Sequence, residues 1–427
     1  MLRIQQPLPS QCTRLLFLDF TVIGSGTEAV QEEIDLVHKR LDQDQQLGTG
    51  HAAQLAMKHV DSSSKVLIIS GDTPLIGTDT LAAFIEEAGD TRLSVLSCLH
   101  PTPQGFGRMV RGENAQLQAI VEEKDCSDDQ RKIREINTSF YFGESSLIEE
   151  ALQSLRTDNA QGELYLTDIV SYAVDKGEVV RAPITEEFEA VSGANTRWEL
   201  SELERIRRLE INRGLMESGV DIEDPYAVYV DEDVEVGAEC YLGAGTRLFG
   251  ASKLGRAVRV EGDSIIANTT VGDGSLLRLG CYFNEAQVGK NCTIGPFVQL
   301  RPAAELSDDV KLGNFVEIKK AKLGTGSKAN HLSYIGDATI GAGSNIGAGT
   351  IFCNYDGVNK HHSSLGDSVF IGSNSTLVSP INVADKAYVA AGSVITENVP
   401  SKALALGRSR QTNKEDWAVK RSDKKDS

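Results

Sequence analysis

The sequence predicts an α/β domain followed by a parallel β-helix of hexapeptide repeats, and three observations carry that prediction. Strand-like apolar runs alternate with helical patterns between residues 15 and 195. One long amphipathic stretch follows, from Asn195 to Gly219. After Pro225, aliphatic residues recur at six-residue spacing as far as Ile395. At 427 residues the chain is too long for one ordinary domain, so two folded units are expected.

In the first unit, Leu15 to Ile23 is apolar but interrupted by Asp19 and Thr21. It is too short to span a membrane and no small-residue cleavage site follows, so it reads as a strand of a cytoplasmic protein. Val66 to Ile69, ending at Gly71-Asp72, and Leu93 to Leu99 read as further strands. Helical patterns lie at Glu28–Leu41, Ala52–His59 and Asp79–Glu87, and the alternation implies a largely parallel sheet. Trp198, Leu200, Leu203, Ile206, Leu209 and Leu215 then keep helical spacing among many charges, with Gly219 placed to stop the helix. The expected organisation is a first domain over 1–195, a linker helix over 196–220, a β-helix over 221–412 and a solvated, disordered tail over 413–427.

The repeats come in three series. Val236, Leu242, Leu248, Leu254, Val260 and Ile266 are six residues apart; so are Val288 to Ile318 and Leu365 to Ile395. Such spacing fits neither an α-helix nor an amphipathic hairpin. It fits a coil of three flat faces, each sending one aliphatic side chain into an interior stack. Glycine often follows the aliphatic residue, where a side chain would clash at a tight corner.

A net charge of −18 argues against nucleic acid or anionic membrane as the main partner. Anionic small molecules remain suitable wherever a few Lys and Arg converge. The seven cysteines form no CxxC pair, which points to buried reduced thiols rather than disulfides or zinc.

Two interruptions of the repeat are expected to carry chemistry as loops standing out from a rigid scaffold. The first, Gly324 to Ile335, holds Lys328, Asn330, His331 and Tyr334; the second, Thr350 to Ser364, holds Asn354, Tyr355, Asp356, Asn359 and Lys360. His331 is either an ordinary surface histidine or a general base, the side chain whose unperturbed pKa suits proton removal near neutrality. Arg301 and Lys319 are either surface charges or a phosphate clamp. His361-His362 is poorly spaced for a shared metal. In the first unit, Gly48-Thr49-Gly50 entering a helix can bring backbone N–H groups to a phosphate or base, and Asp72 at a strand end is placed for a divalent metal.

Several segments occur together and in order: Gln46 to Ala52, Gly71-Asp72-Thr73-Pro74-Leu75, Gly105-Phe106-Gly107-Arg108, Glu135-Ile136-Asn137-Thr138 and Arg301-Pro302. Gly313 to Lys320, Ser327 to Tyr334 and Cys353-Asn354-Tyr355-Asp356-Gly357 follow. On these motifs the chain resembles the bacterial bifunctional N-acetylglucosamine-1-phosphate uridyltransferase/glucosamine-1-phosphate N-acetyltransferase family, from about residue 15 to Trp417. The resemblance implies a left-handed β-helix and a homotrimer with active sites between neighbouring β-helices. It implies His331 as the base that deprotonates the amine of glucosamine 1-phosphate, so that the amine attacks the thioester of acetyl-CoA. Arg301, Lys319, Tyr334, Asn345 and Lys360 would hold the sugar phosphate. Ala348, Asn354, Tyr355, Ser373, Ala391 and Arg408 would line the acetyl-CoA site, and Glu317 is expected to orient or charge-stabilise His331.

For the first domain the resemblance implies an incomplete Rossmann-like nucleotidyltransferase fold. Gln43, Gly48, Thr49, Gly107, Glu122, Asn137 and Asn195 match positions for the uridine nucleotide and sugar, and Asp72 with Asn195 would hold Mg²⁺. The family opens with a strand and a Gly-rich loop, Leu-x-Ala-Gly-x-Gly-Thr-x-Met followed by Pro-Lys, that binds the triphosphate. Met1 to Arg14 match no such segment, and Ser70 stands where the family usually has tyrosine. Uridyl transfer from UTP is therefore expected to be lost or weak, whereas acetyl transfer is expected intact. The alternatives are an enzyme retaining both activities and a non-catalytic scaffold.

Overall fold

The computed structural model describes residues 20–24, 39–43 and 45–418. The chain divides into two units, Met1–Glu204 and Arg205–Ser427.

In the first unit, β1 (Phe20–Gly24) pairs in parallel with β2 (Lys39–Gln43). The helix expected over Glu28–Leu41 therefore fails at its end: Lys39 to Leu41 lie in β2, where the open edge of β1 supplies backbone partners that override the local pattern. The rest of that stretch, like Leu15 to Asp19, lies outside the described residues. Helix α1 (Thr49–Met57), strand β3 (Lys65–Ile68), helix α2 (Thr78–Ala88) and strand β4 (Leu93–Leu99) match the expected succession.

The main sheet then departs from expectation. Strands β5 (Arg108–Arg111) and β6 (Leu117–Val121) form an antiparallel hairpin, and β7 (Glu135–Glu144) runs antiparallel to β3, β4 and β5. Parallel neighbours need a crossover connection, usually a helix. Helix α2 makes such a connection between β3 and β4, which run parallel on either side of β7, while β7 itself is antiparallel to both. The sheet is consequently mixed rather than largely parallel.

Strand β4 is buried on both faces, which explains its unbroken apolar run. Leu93 and Val95 join one core with residues of helix α3 (Ser145–Gln153) and helix α4 (Asp168–Asp175), while Leu96 and Cys98 join another with Leu81 and Phe84 of α2. The last strand, β8 (Ile184–Thr185), pairs in parallel with β4. Helix α5 (Arg197–Glu217) contains the point at which the two units divide.

In the second unit the period becomes a parallel coil. Tyr229 pairs with Arg247, eighteen residues on, and Arg247 with Ile265, so three hexapeptides complete one turn. The aliphatic positions stack inside, with Leu242, Leu248, Val260, Ile266, Ile294 and Ile318 fully buried. Small residues two positions earlier also face inward and tie the coils together. Ser264 Oγ accepts the Cys281 N–H at 3.1 Å, and Ser275 Oγ accepts the Cys292 N–H at 3.0 Å. Cys240, Cys281 and Cys292 fill the same inward positions as buried free thiols. The corner glycines are explained by close approach: a Cβ on Gly243 would lie 2.7 Å from Glu261 C of the next coil. The N-terminal end is closed by Ile211 and Leu215, while buried Asn212 donates to Pro225 O and Val228 O at 2.8 and 3.0 Å.

The first expected interruption is no interruption. Lys328 to His331 form a strand that pairs with Lys311 to Asn314 and, at Lys328 and Ala329, with Asn345 and Ile346. The period was hidden because Ala329, small but fully buried, fills the aliphatic position, and because the step from Ile335 to Ile340 is five residues. His331 thus belongs to the wall of the coil, not to a projecting loop. The second interruption is real. Ile340 pairs with Leu365, twenty-five residues on, so extra chain leaves the coil after Cys353 and returns by Ser363. Of the expected tail, residues 413–418 are described and are exposed, with a turn at its end; the remainder lies outside the described residues.

Candidate active site

One corner of the β-helix stacks His331 with several of the residues expected at the acetyl-CoA site. Leu332 N donates to Asn314 O at 3.0 Å, Gly349 N to His331 O at 3.4 Å, Asn374 N to Ala348 O at 2.7 Å and Gly392 N to Ser373 O at 2.8 Å. These links place Asn314, His331, Ala348, Ser373 and the Ala391–Gly392 corner in a column, coil upon coil. Arg408 joins its far end, its Cδ 3.9 Å from where a Cβ on Gly392 would stand. His331 is exposed, and its Nδ1 lies 3.0 Å from Asn314 Oδ1. Glu317 does not orient it. That carboxylate is taken by Arg301, whose Nη1 donates to Oε1 at 2.8 Å, because the two residues stand on adjacent strands of another face.

That face carries the cations. Arg301, Lys319 and Lys360 converge, and the contact with Lys360 is the main reason that Lys319 is held below the ordinary lysine range; burial and the charges of Lys360 and Arg301 add to it, and Asp337 opposes it. A phosphate is the natural counter-charge for such a group. Tyr334 lies at the start of the next strand of the same face, and its hydroxyl accepts Asn354 Nδ2 at 3.4 Å. Asn354 also donates to Asp337 Oδ2. Asn345 is not on that face but on the one whose strand Lys328–His331 ends at His331, paired between Lys328 and Phe370.

The projecting loop is fastened by its own side chains. Asp356 Oδ1 accepts the N–H groups of Val358 and Asn359, Asp356 Oδ2 pairs with His361 Nε2 at 2.6 Å, and His362 Nε2 lies 3.1 Å from Thr339 Oγ1. The histidine pair thus takes part in fastening the loop. Its first member, by hydrogen bonding, holds the Asp356 carboxyl well below the usual carboxylate range. Tyr355 is exposed and turned back on the loop, donating its hydroxyl to Gly357 O.

In the first unit two groupings form. Gly107, Glu122 and Asn137 belong to one: Asn137 N donates to Gly107 O at 2.9 Å, and Thr167 Oγ1 donates to Glu122 Oε1 at 3.2 Å. Burial pushes the Glu122 carboxyl up, with Asp168 and Asp125 adding to the effect and Thr167 opposing it. Asp72 and Asn195 belong to the other, lining a cleft of about 320 Å³ with Gly71, Pro74, Thr196, Arg197 and Leu200. One carboxylate and one amide oxygen suit Mg²⁺ when substrate phosphates and waters supply the other ligands. Ser70 Oγ donates to Asp72 Oδ1 in place of any tyrosine contact. Gln43 is buried, its amide directed to Gly48 O at 3.4 Å and His51 Nδ1 at 3.0 Å. Thr49 Oγ1 accepts the Leu166 N–H at 3.1 Å, so its hydroxyl supports the fold at this point.

Comparison with known proteins agrees with both halves. A nucleotidyl transferase family model matches residues 24–199, and a model of the hexapeptide repeat of succinyl-transferase matches 364–397. The bifunctional protein GlmU of Koribacter versatilis is 42% identical over 409 residues, covering 94% of this chain and 87% of that protein. The chain belongs to the GlmU family. The GlmU proteins of Marinobacter nauticus and Stutzerimonas stutzeri are 42% and 44% identical, each over 93% of this chain and 88% of their own length. Among GlmU positions, sequence reasoning gave no role to Asn314, Asp337 or Thr167. Asn314 had a usable signal, since it lies one seventeen-residue coil before His331, but that coil length emerges only from the backbone pairing.

Proposed function

We propose that the β-helix of this GlmU-family chain transfers the acetyl group of acetyl-CoA to the amine of glucosamine 1-phosphate, giving N-acetylglucosamine 1-phosphate, a precursor of UDP-N-acetylglucosamine. The observation that carries the reading is the corner column of His331, Ala348, Ser373 and Ala391 together with the cationic group of Arg301, Lys319 and Lys360. The cations hold the sugar phosphate, helped by Tyr334 and Asn345. Asn354, Tyr355 and Arg408 hold the anionic cofactor, which is a co-substrate. His331 Nε2 takes a proton from the ammonium-derived amine as its nitrogen attacks the thioester carbonyl; the C–N bond forms, the C–S bond breaks and CoA leaves as a thiolate that is then protonated.

Assembly as a homotrimer belongs to this reading. Phe297, Phe315 and Leu332 stand exposed along the corner beside Asn314 and His331, an apolar ridge suited to a second copy. So does a cytoplasmic location, supported by the free thiols of Cys98, Cys240 and Cys281. Among the described residues no helix is long and apolar enough to cross a membrane.

Uridyl transfer is the second reading, favoured by the Asp72–Asn195 cleft and by the bifunctional GlmU relatives. If Mg²⁺ binds there, it supplies charge neutralisation for the UTP phosphates.

Free-CoA release with glucosamine 1-phosphate, compared with other amino sugars, tests the main reading. His331→Ala is expected to abolish it while leaving the melting curve and the trimer unchanged. Retained turnover in that variant removes His331 from the role of base. Mg²⁺-dependent consumption of UTP with N-acetylglucosamine 1-phosphate tests the second, and robust turnover overturns the expectation of weakness.

A further inference from the structure

We propose that Asn314 is a positioning residue for acetyl transfer, fixing the His331 imidazole in the tautomer whose Nε2 is free to take the amine proton. The proposal rests on the reading of His331 as the base. His331 Nδ1 lies 3.0 Å from Asn314 Oδ1. An amide oxygen accepts and cannot donate, so Nδ1 carries the proton of this bond. In a neutral imidazole the remaining nitrogen, Nε2, then has its lone pair exposed.

The contact is built into the coil. Asn314 and His331 are direct partners in the parallel ladder, and Leu332 N donates to Asn314 O at 3.0 Å. Parallel partners one coil apart lie about 4.8 Å from each other, so side chains leaving the same corner meet without adjustment. Gly313 brings the strands together just before this point: a Cβ there would collide with Asn330 O. On the outer side Phe315 and Leu332 hold the corner in the left-handed region, at φ 61° and 49°.

The chemistry of the partner matters as much as its place. A carboxylate opposite Nδ1 stabilises imidazolium, whereas an amide fixes the tautomer without an opposing charge. The neighbouring ionisable groups are committed elsewhere. Glu317 is bound by Arg301, Asp337 accepts Asn354, and Lys311 and Lys328 stand at the other end of the two paired strands. A base held in this way presents Nε2, not Nδ1, to the amine.

Three variants and one spectroscopic measurement test the proposal. In Asn314→Leu, kcat should fall about 10- to 100-fold with little change in KM for either substrate, as for lost orienting partners elsewhere. In Asn314→Asp, which keeps shape and acceptor but adds charge, the acid limb of the kcat profile should move up by about one pH unit or more. In ¹⁵N-histidine spectra, with the His331 signal assigned by its loss in His331→Gln, the wild-type ring should be the Nδ1–H tautomer. A wild-type Nε2–H tautomer, or an Asn314→Asp profile superimposable on the wild type, overturns the proposal. The tautomer is read without turnover. A wild type that fails to acetylate glucosamine 1-phosphate therefore sinks the functional reading, while the spectrum still decides whether Asn314 sets the ring.

Discussion

Lys319 and Lys360 stand close enough for one to lower the pKa of the other, although one belongs to the coil wall and the other to the projecting loop. Two ammonium groups so placed repel unless an anion sits between them, which is what a sugar phosphate supplies. Lys360→Gln should raise KM for glucosamine 1-phosphate about tenfold, the order of one lost charged hydrogen bond. Because Lys319 is held below the ordinary lysine range, its charge is present at low pH and lost as pH rises through the lowered value. KM for the sugar phosphate should therefore climb before the usual lysine range near about 10.4 is reached. Initial rates across alkaline pH check this, and a flat KM contradicts it.

Asp337 is the one contributor that raises the Lys319 pKa, and it also accepts Asn354. Asp337→Asn keeps an acceptor for Asn354 and tolerates the left-handed backbone at φ 48°. Removing its charge favours the neutral form of Lys319, so the alkaline rise in KM should start at lower pH. KM for acetyl-CoA should change less than twofold. A shift toward higher pH would show that Asp337 does not face the cations.

Cys353 is half-buried at the root of the projecting loop, whereas burial raises the thiols of Cys98 and Cys281 to about 11. Only the thiolate is nucleophilic. Among the described cysteines, iodoacetamide near neutrality should label Cys353 first, and acetyl-CoA should slow it, as peptide mass spectrometry will show. Faster labelling of Cys281 would mean that the coil opens readily.

Phe352 is fully buried in the β-helix stack directly before that loop, while Val358 is 82% exposed at its tip. Phe352→Ala should cost about 3–5 kcal/mol, and Val358→Ala should stay within about 0.5 kcal/mol. Urea unfolding of the two variants measures the contrast.

The β-helix was legible because its period is chemical: one aliphatic residue in six, with glycine where coils touch. It failed only at Ala329 and the shortened step to Ile340, where the coil continues with weaker letters, and this turned a wall strand into an expected loop. The sheet of the first unit was less legible. Apolar runs mark strands but not their direction, and nothing in them shows that β7 inserts between β3 and β4 antiparallel to both. The motif positions of the acyl site were readable as residues. Their partners were not, because Asn314 with His331, Asp337 with Asn354 and Arg301 with Glu317 are each joined through coil spacing rather than sequence proximity.

Coils of a solenoid touch only their neighbours, so such a rod loosens from its ends inward. The corner column puts Arg408, Ala391 and Ser373 on the final turns and His331 further in. A cofactor lying along that column would act as a clasp on the end most prone to fray, lending the last turns its binding energy. Amide exchange at Tyr388–Val389 and Leu404–Ala405 should then slow together when acetyl-CoA is added, with the turns before Gln299 indifferent to it.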